Sequence, residues 1–141
     1  MCLLDEVLSW DAIHIRCRSL SHRSADNPLR AYGRLGAACG IEYAAQAMAV
    51  HGALVAASAP LTSTLSLGVR RSTGPAVGYL ASVRNVALNV TRLADLDADL
   101  IAAADRLTGD GRTVMYEFRV SSAQQTLLSG RASIVVTQIR P

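Results

Sequence analysis

Glu42 stands inside an otherwise apolar, alanine-rich stretch, with Cys39, Ile41, Ala45 and Ala49 around it at helical spacing. Removing an unpartnered carboxylate from water is costly, and the cost falls on its charged form. Burial in such surroundings therefore raises the pKa and leaves a proton to give, which is the chemistry of a general acid. Gln46 follows one helical turn later on the same face, placed to hydrogen-bond Glu42 or to hold it. A helix-surface carboxylate reaching solvent is the plainer alternative, and the pattern alone leaves both open.

His22 lies in a polar stretch with Arg23 and Asn27, ahead of the alanine-rich segment, where an imidazole base would face the start of a helix. An ordinary solvated loop histidine fits the same position. His14 falls on the outward side of an alternating segment and reads as surface. His51, nine residues beyond Glu42, is placed close to the same helix face and reads as a hydrogen-bonded structural histidine. No two histidines make a plausible metal site. Cys2, Cys17 and Cys39 are odd in number, widely spaced and set in apolar sequence, as expected of reduced thiols serving as small core residues. Gly-x-Gly-x-x-Gly and Gly-x-Ser-x-Gly are both absent, so nucleotide-binding and hydrolase-elbow readings have no support.

These residues need elements to position them. Residues 3–8 form a short apolar run, Ser9-Trp10-Asp11 a turn, and residues 12–20 alternate with Ile13, Ile15 and Cys17 on one side, so an opening hairpin is expected. Residues 21–33 are polar and turn-rich around Asp26-Asn27-Pro28, a long loop of the kind that is often functional. Residues 35–57 read as one long helix with Pro60 just beyond, spanning roughly 34 Å at 1.5 Å per residue. A second loop covers residues 62–74, and four strands follow over residues 76–90, 99–107, 112–120 and 130–139. Gly78 marks a bend or a close backbone approach, Thr108-Gly-Asp-Gly111 a hairpin turn, and a further turn falls near residues 121–124. Val114, Tyr116, Phe118 and Val120 share one face. One long helix among hairpin-linked strands argues for an α+β domain, with an antiparallel sheet of about five to six strands wrapped over the helix.

Composition narrows the function. A chain of 141 residues, 50% hydrophobic and only 18% charged, supports one folded domain over residues 1–141. The net charge of +3 comes from 14 arginines with no lysine, scattered along the length, which argues against a nucleic-acid stripe. Arg70-Arg71 is the one adjacent basic pair, either a solvated loop or a contact to an acidic carrier or its phosphate. Residues 35–57 are long enough to span a bilayer, but Glu42, Gln46 and His51 within them favour a buried soluble helix. The first residues carry no charged segment leading into an apolar one, so no secretory signal is evident and a cytoplasmic location is expected.

The string Gly40-Ile-Glu42-Tyr-Ala-Ala-Gln46-Ala-Met-Ala-Val-His51-Gly52, with Asn27-Pro-Leu-Arg30 upstream, resembles the ApeP-like family. That family is associated with dehydratases of aryl polyene biosynthesis. Glu42 and Gln46 also resemble the acid and amide of the central helix in beta-hydroxyacyl-[acyl carrier protein] dehydratases, and residues 3–8 resemble their first strand. The resemblance implies a hotdog fold, a homodimer or heterodimer with an acyl-pantetheine tunnel at the interface, and a partner acyl carrier protein. It implies no cofactor and no metal. Glu42 then protonates the departing 3-hydroxyl, His22 is the candidate for the base at C2, and Gln46, Asn27, Gly33 and Gly40 belong to substrate binding. In those dehydratases the histidine stands nearer the acid, at a position that falls around Asn27-Pro28 in this chain. Either a longer loop brings His22 to that place or a partner subunit supplies the base. A thioesterase on the same fold and a non-catalytic subunit are the rival readings.

Overall fold

A computed structural model describes residues 2–58, 76–110 and 112–138. Strands β1 (Glu6–Trp10) and β2 (His14–Ser19) precede a 3-10 turn at Ser21–Arg23. A second 3-10 turn at Ala37–Cys39 leads into helix α1 (Gly40–Ser58), and strands β3 (Ala76–Leu88), β4 (Leu100–Gly109), β5 (Thr113–Ser122) and β6 (Gln125–Gln138) complete the chain. The six strands form one sheet in the order β1-β2-β4-β5-β6-β3, every pairing antiparallel. β1 and β3 are therefore the two edge strands, at opposite ends of the sheet. The expected order of two strands, one helix and four strands holds, as does the α+β class.

Alternation decides which side chains meet the helix. Ile15 and Cys17 of β2, Ala102 and Ala104 of β4, and Tyr116, Phe118 and Val120 of β5 are all buried. Tyr43, Ala44, Ala47, Met48 and His51 of α1 are buried with them, and they recur at the spacing of one helical face. Cys17 is a core residue as expected and Cys39 is half-buried, but Cys2 is exposed, since the chain before Leu3 lies outside this core.

Several boundaries differ from expectation for local reasons. The first turn falls after Trp10 rather than on it: the Asp11 carboxylate accepts from the Ile13 and His14 amides at 2.8 and 2.7 Å, closing the hairpin there. Ile13 is consequently exposed. The helix begins at Gly40, not at residue 35, because residues 35–36 are drawn into a bridge with residues 91–93 and residues 37–39 form the 3-10 turn: Leu93 N–H donates to the Leu35 carbonyl and Ala37 N–H to that of Thr91. Strand β6 starts five residues earlier than residue 130, because Ala123 and Gln124, at φ 49° and 66°, make a tight turn that puts Gln125 directly opposite Ser122. The turn expected near residues 121–124 is therefore present, but it is only two residues long, so the strand resumes at once. Gly78 proves to be a close approach, since a Cβ there would meet Ile134 Cγ2 at 3.1 Å. Asp110 closes the next hairpin by accepting from the Arg112 and Thr113 amides. The loop over residues 62–74, with Arg70 and Arg71, lies outside the described residues.

Candidate functional site

The flank of α1 turned away from the core carries Glu42, Ala45, Gln46, Ala49, Gly52, Ala53 and Ala56, nearly all small. Opposite it stand Gly78, Tyr79 and Leu80 of β3, Val114 and Tyr116 of β5, and Ile134 and Val136 of β6. Small side chains on the helix and a sheet that diverges from it leave a largely apolar cleft of about 830 Å³. That is the size and character of a small-molecule site. Glu42 and Gln46 bring polar groups to it from the first two turns of the helix. Glu42 is half-buried on the cleft wall rather than enclosed in the core. Gln46 Oε1 accepts the Leu3 amide at 2.8 Å, which ties the start of the chain to the helix.

His22 is fully buried and is not among the cleft residues. A carbonyl oxygen only accepts, so Nε2 donates to the Leu96 carbonyl at 2.9 Å, leaving Nδ1 as the lone-pair nitrogen. That Nδ1 is enclosed without a hydrogen-bond partner. Burial pushes the imidazole below its ordinary value, with the Leu96 carbonyl acting the other way. A histidine kept neutral by the fold contributes stability fully above its unfolded pKa of about 6.5, and that contribution is lost as pH falls through the lower folded value. The melting temperature of the unmodified protein is therefore expected to fall more steeply between about pH 7 and about pH 5 than that of His22→Gln. Parallel profiles in differential scanning fluorimetry would contradict this assignment of charge state.

Asn27 is also buried, and its side chain is committed to the loop. Its Nδ2 donates to the Ser21 carbonyl and to the Tyr43 hydroxyl, both at 2.9 Å, while Oδ1 accepts the Leu29 amide at 2.8 Å. The Tyr43 hydroxyl also shares a hydrogen bond with Ser21 Oγ, so Tyr43, on the core face of α1, anchors the loop that carries His22. Arg30 adds three bonds to the carbonyls of Ser24, Gly33 and His22. Asn27→Ala strips the buried Tyr43 hydroxyl of a donor and is expected to cost about 1–3 kcal/mol. Urea unfolding measures it, and an unchanged midpoint would show that the loop holds without Asn27.

Gly33, at φ 73°, and Tyr32, at φ 55°, form an exposed two-residue turn between Ala31 and Arg34. Gly40 is buried at the start of α1, where a Cβ would run into Leu128 Cδ2, so its missing side chain lets the helix start settle on β6. Neither glycine lines the cleft. Of the residues expected to form a site, Glu42 and Gln46 meet in the cleft, while His22 and Asn27 share the adjoining buried loop.

The remaining histidines are engaged elsewhere. His14 is exposed and pairs with Asp105, whose hydrogen bond raises its pKa. His51 is structural, as expected, but it does not share the face of Glu42. Nine residues at 3.6 per turn put it about half a turn round the helix, where it is fully buried with both ring nitrogens bonded. Tyr116 was legible in the sequence only as a core residue; its place on the cleft wall depends on how far α1 stands from β5, which alternation does not encode. Among the described residues, no group of three or more potential metal ligands occurs and no helix is long and apolar enough to cross a membrane.

Comparison with known proteins accords with this architecture. The fold matches the dehydratase heterocomplex ApeI:P from Xenorhabdus doucetiae with a TM-score of 0.72 and 22% identity, over 99% of this chain and 84% of that one. It also matches a mutant thioesterase from Pseudomonas aeruginosa, at a TM-score of 0.61 and 16% identity over 94% and 81% of the two chains. A hypothetical thioesterase with coenzyme A from Streptococcus pneumoniae gives a TM-score of 0.60 and 12% identity, over 96% and 90%. Likeness at these identities establishes the fold, a hotdog with a long central helix against a six-stranded antiparallel sheet. No curated protein matches the sequence. The family model of the ApeP-like proteins, described as ApeP dehydratase, matches residues 1–140, and the chain therefore belongs to the ApeP-like dehydratase family.

Proposed function

We propose that the chain is a dehydratase subunit that converts a carrier-bound 3-hydroxyacyl thioester to the trans-2-enoyl thioester, with Glu42 as the acid. The observation that carries this reading is the position of Glu42, next to Gln46, on the wall of a cleft that is otherwise apolar and large enough for an acyl chain. In the reaction a base takes the C2 proton, the electron pair forms the C2–C3 double bond, and the C3–O bond breaks. Glu42 protonates the departing hydroxyl, which leaves as water. Elimination of this kind needs no cofactor.

His22 stays the candidate base, its Nδ1 lone pair unpaired and its neutral form favoured, but at 0% exposure it reaches a substrate only if residues 21–33 open on assembly; otherwise the partner supplies the base. Since His22 and Glu42 do not line one cleft within a single chain, the working site is proposed to be composite, one subunit's acid meeting a base delivered from another. Strand β3 suits such an assembly, being a long edge strand beside the cleft with Tyr79, Leu80, Val86 and Leu88 exposed along it. The partner is a second hotdog subunit, identical or not. The ApeI:P structure, a heterocomplex of a dehydratase, favours a non-identical one.

The acyl group is proposed to arrive on the phosphopantetheine of an acyl carrier protein, in fatty-acid-like or aryl polyene biosynthesis in the cytoplasm. Amides near the start of α1, around Gly40, and the turn at Gly33 are proposed to serve the thioester end, where a helix dipole favours developing negative charge. A thioesterase is the second reading, favoured by the thioesterases among the similar structures. In that case Glu42 would activate water. Mass spectrometry of the products separates the two: an enoyl thioester means dehydration, and a free acid with a free thiol means hydrolysis.

A further inference from the structure

His51 takes no part in the reaction just proposed, yet it is fully buried and its two ring nitrogens are both engaged. Nε2 lies 2.8 Å from the carbonyl oxygen of Asp11, which can only accept, so Nε2 carries the hydrogen. In the neutral ring Nδ1 is then the acceptor, and it receives the Tyr116 hydroxyl at 2.8 Å. The two rings meet edge to face, with centroids 5.6 Å apart and planes at 83°. The relay Asp11–His51–Tyr116 thus runs from the β1–β2 turn, across the core face of α1, to a side chain that lines the cleft.

Tyr116 is packed in the core, 4% exposed, and turns only a margin of its ring to the cleft. Its hydroxyl is fixed at His51, and of the helix side chains that line the cleft Met48 is large while Ala45, Ala49 and Ala53 are small and leave room on that side. We propose that His51 is a positioning residue that sets the Tyr116 ring as a wall of the cleft and so fixes the width available to an acyl chain. Loss of the tether frees the ring to swing into the space between helix and sheet. The affected zone lies by Met48 and Ala49, about 10 Å along the axis from Glu42 at 1.5 Å per residue. Long acyl chains feel the change and short ones do not. This inference rests on the acyl-thioester reading of the cleft.

The test uses non-reactive alkyl thioethers of pantetheine, one with a long chain and one with a two-carbon chain. Their affinities are measured by calorimetry on the unmodified protein, His51→Leu, His51→Gln and Tyr116→Phe. Glutamine reproduces both hydrogen bonds, accepting from Tyr116 and donating to Asp11, whereas leucine keeps bulk without either. His51→Leu and Tyr116→Phe are expected to weaken the long thioether about tenfold, equal to about 1.4 kcal/mol, and to leave the short one unchanged. His51→Gln is expected to bind like the unmodified protein. Equal affinity for the long thioether in Tyr116→Phe would overturn the role of His51, even if His51→Leu failed to fold. Failure of the unmodified protein to bind either thioether would instead overturn the acyl-thioester reading.

Discussion

Glu42→Gln is expected to lower the rate of dehydration by about 10²- to 10⁴-fold, the usual contribution of a positioned acid, while leaving the melting temperature within a degree or two of the unmodified protein. Glutamine matches the size of the carboxyl and keeps hydrogen-bonding capacity, but it has no proton to transfer to a departing hydroxyl. Stability should be spared because Glu42 is half-buried at a cleft wall rather than sealed in the core. Turnover of a 3-hydroxyacyl thioester, followed with thermal unfolding of the same preparations, checks both halves. Full activity in the variant would remove Glu42 from the mechanism. A large drop in melting temperature would mean that the residue serves the fold instead.

The largest effect on stability is expected where β5 and β6 face each other. Phe118, the chain's one phenylalanine, is 1% exposed and directly opposite Gly130. A Cβ on Gly130 would lie 2.8 Å from Phe118 Cζ, so the ring occupies the space that the glycine leaves. Phe118→Ala empties that space and should cost about 3–5 kcal/mol. Gly130→Ala overfills it and should cost about 1–3 kcal/mol. In Phe118→Ala with Gly130→Ala, the new methyl group enters the cavity, so the double variant should be more stable than the sum of the single losses. Guanidinium unfolding of the four proteins completes the cycle. Strict additivity would show that the ring and the glycine do not share one space.

Much of this fold was legible because its signals are local. Alternation in residues 12–20 and 112–120 assigned inward residues correctly for Ile15, Cys17, Tyr116, Phe118 and Val120. The alanine-rich helix with a single carboxylate marked both the central element and the residue on the cleft. Local reading failed where a distant segment decided. Residues 35–36 look helical by composition but are drawn out by pairing with residues 91–93. His51 was placed on the wrong side of the helix because its spacing from Glu42 was not turned into an angle.

The candidate site was legible only in part. Glu42 and Gln46 belong to one helix, so their spacing was enough to put them together. The position of His22 depends on how residues 21–33 fold back against Tyr43 and Leu96, contacts that lie far apart in the sequence. A cleft wall such as Tyr116 depends on the gap between two elements, and the exposed edge of β3 on the order in which strands join the sheet.

The most direct test of the central claim uses the native assembly, purified from its source cells through a tag on this chain, with the chain either unmodified or carrying Glu42→Gln. Each assembly is incubated with a 3-hydroxyacyl carrier-protein thioester, and the carrier-bound product is followed by mass spectrometry. The predicted result is loss of one water from the acyl group, with the thioester intact, in the unmodified assembly and its near absence in the variant. Release of free acid, equal dehydration by both assemblies, or no dehydration by the unmodified one would contradict the account.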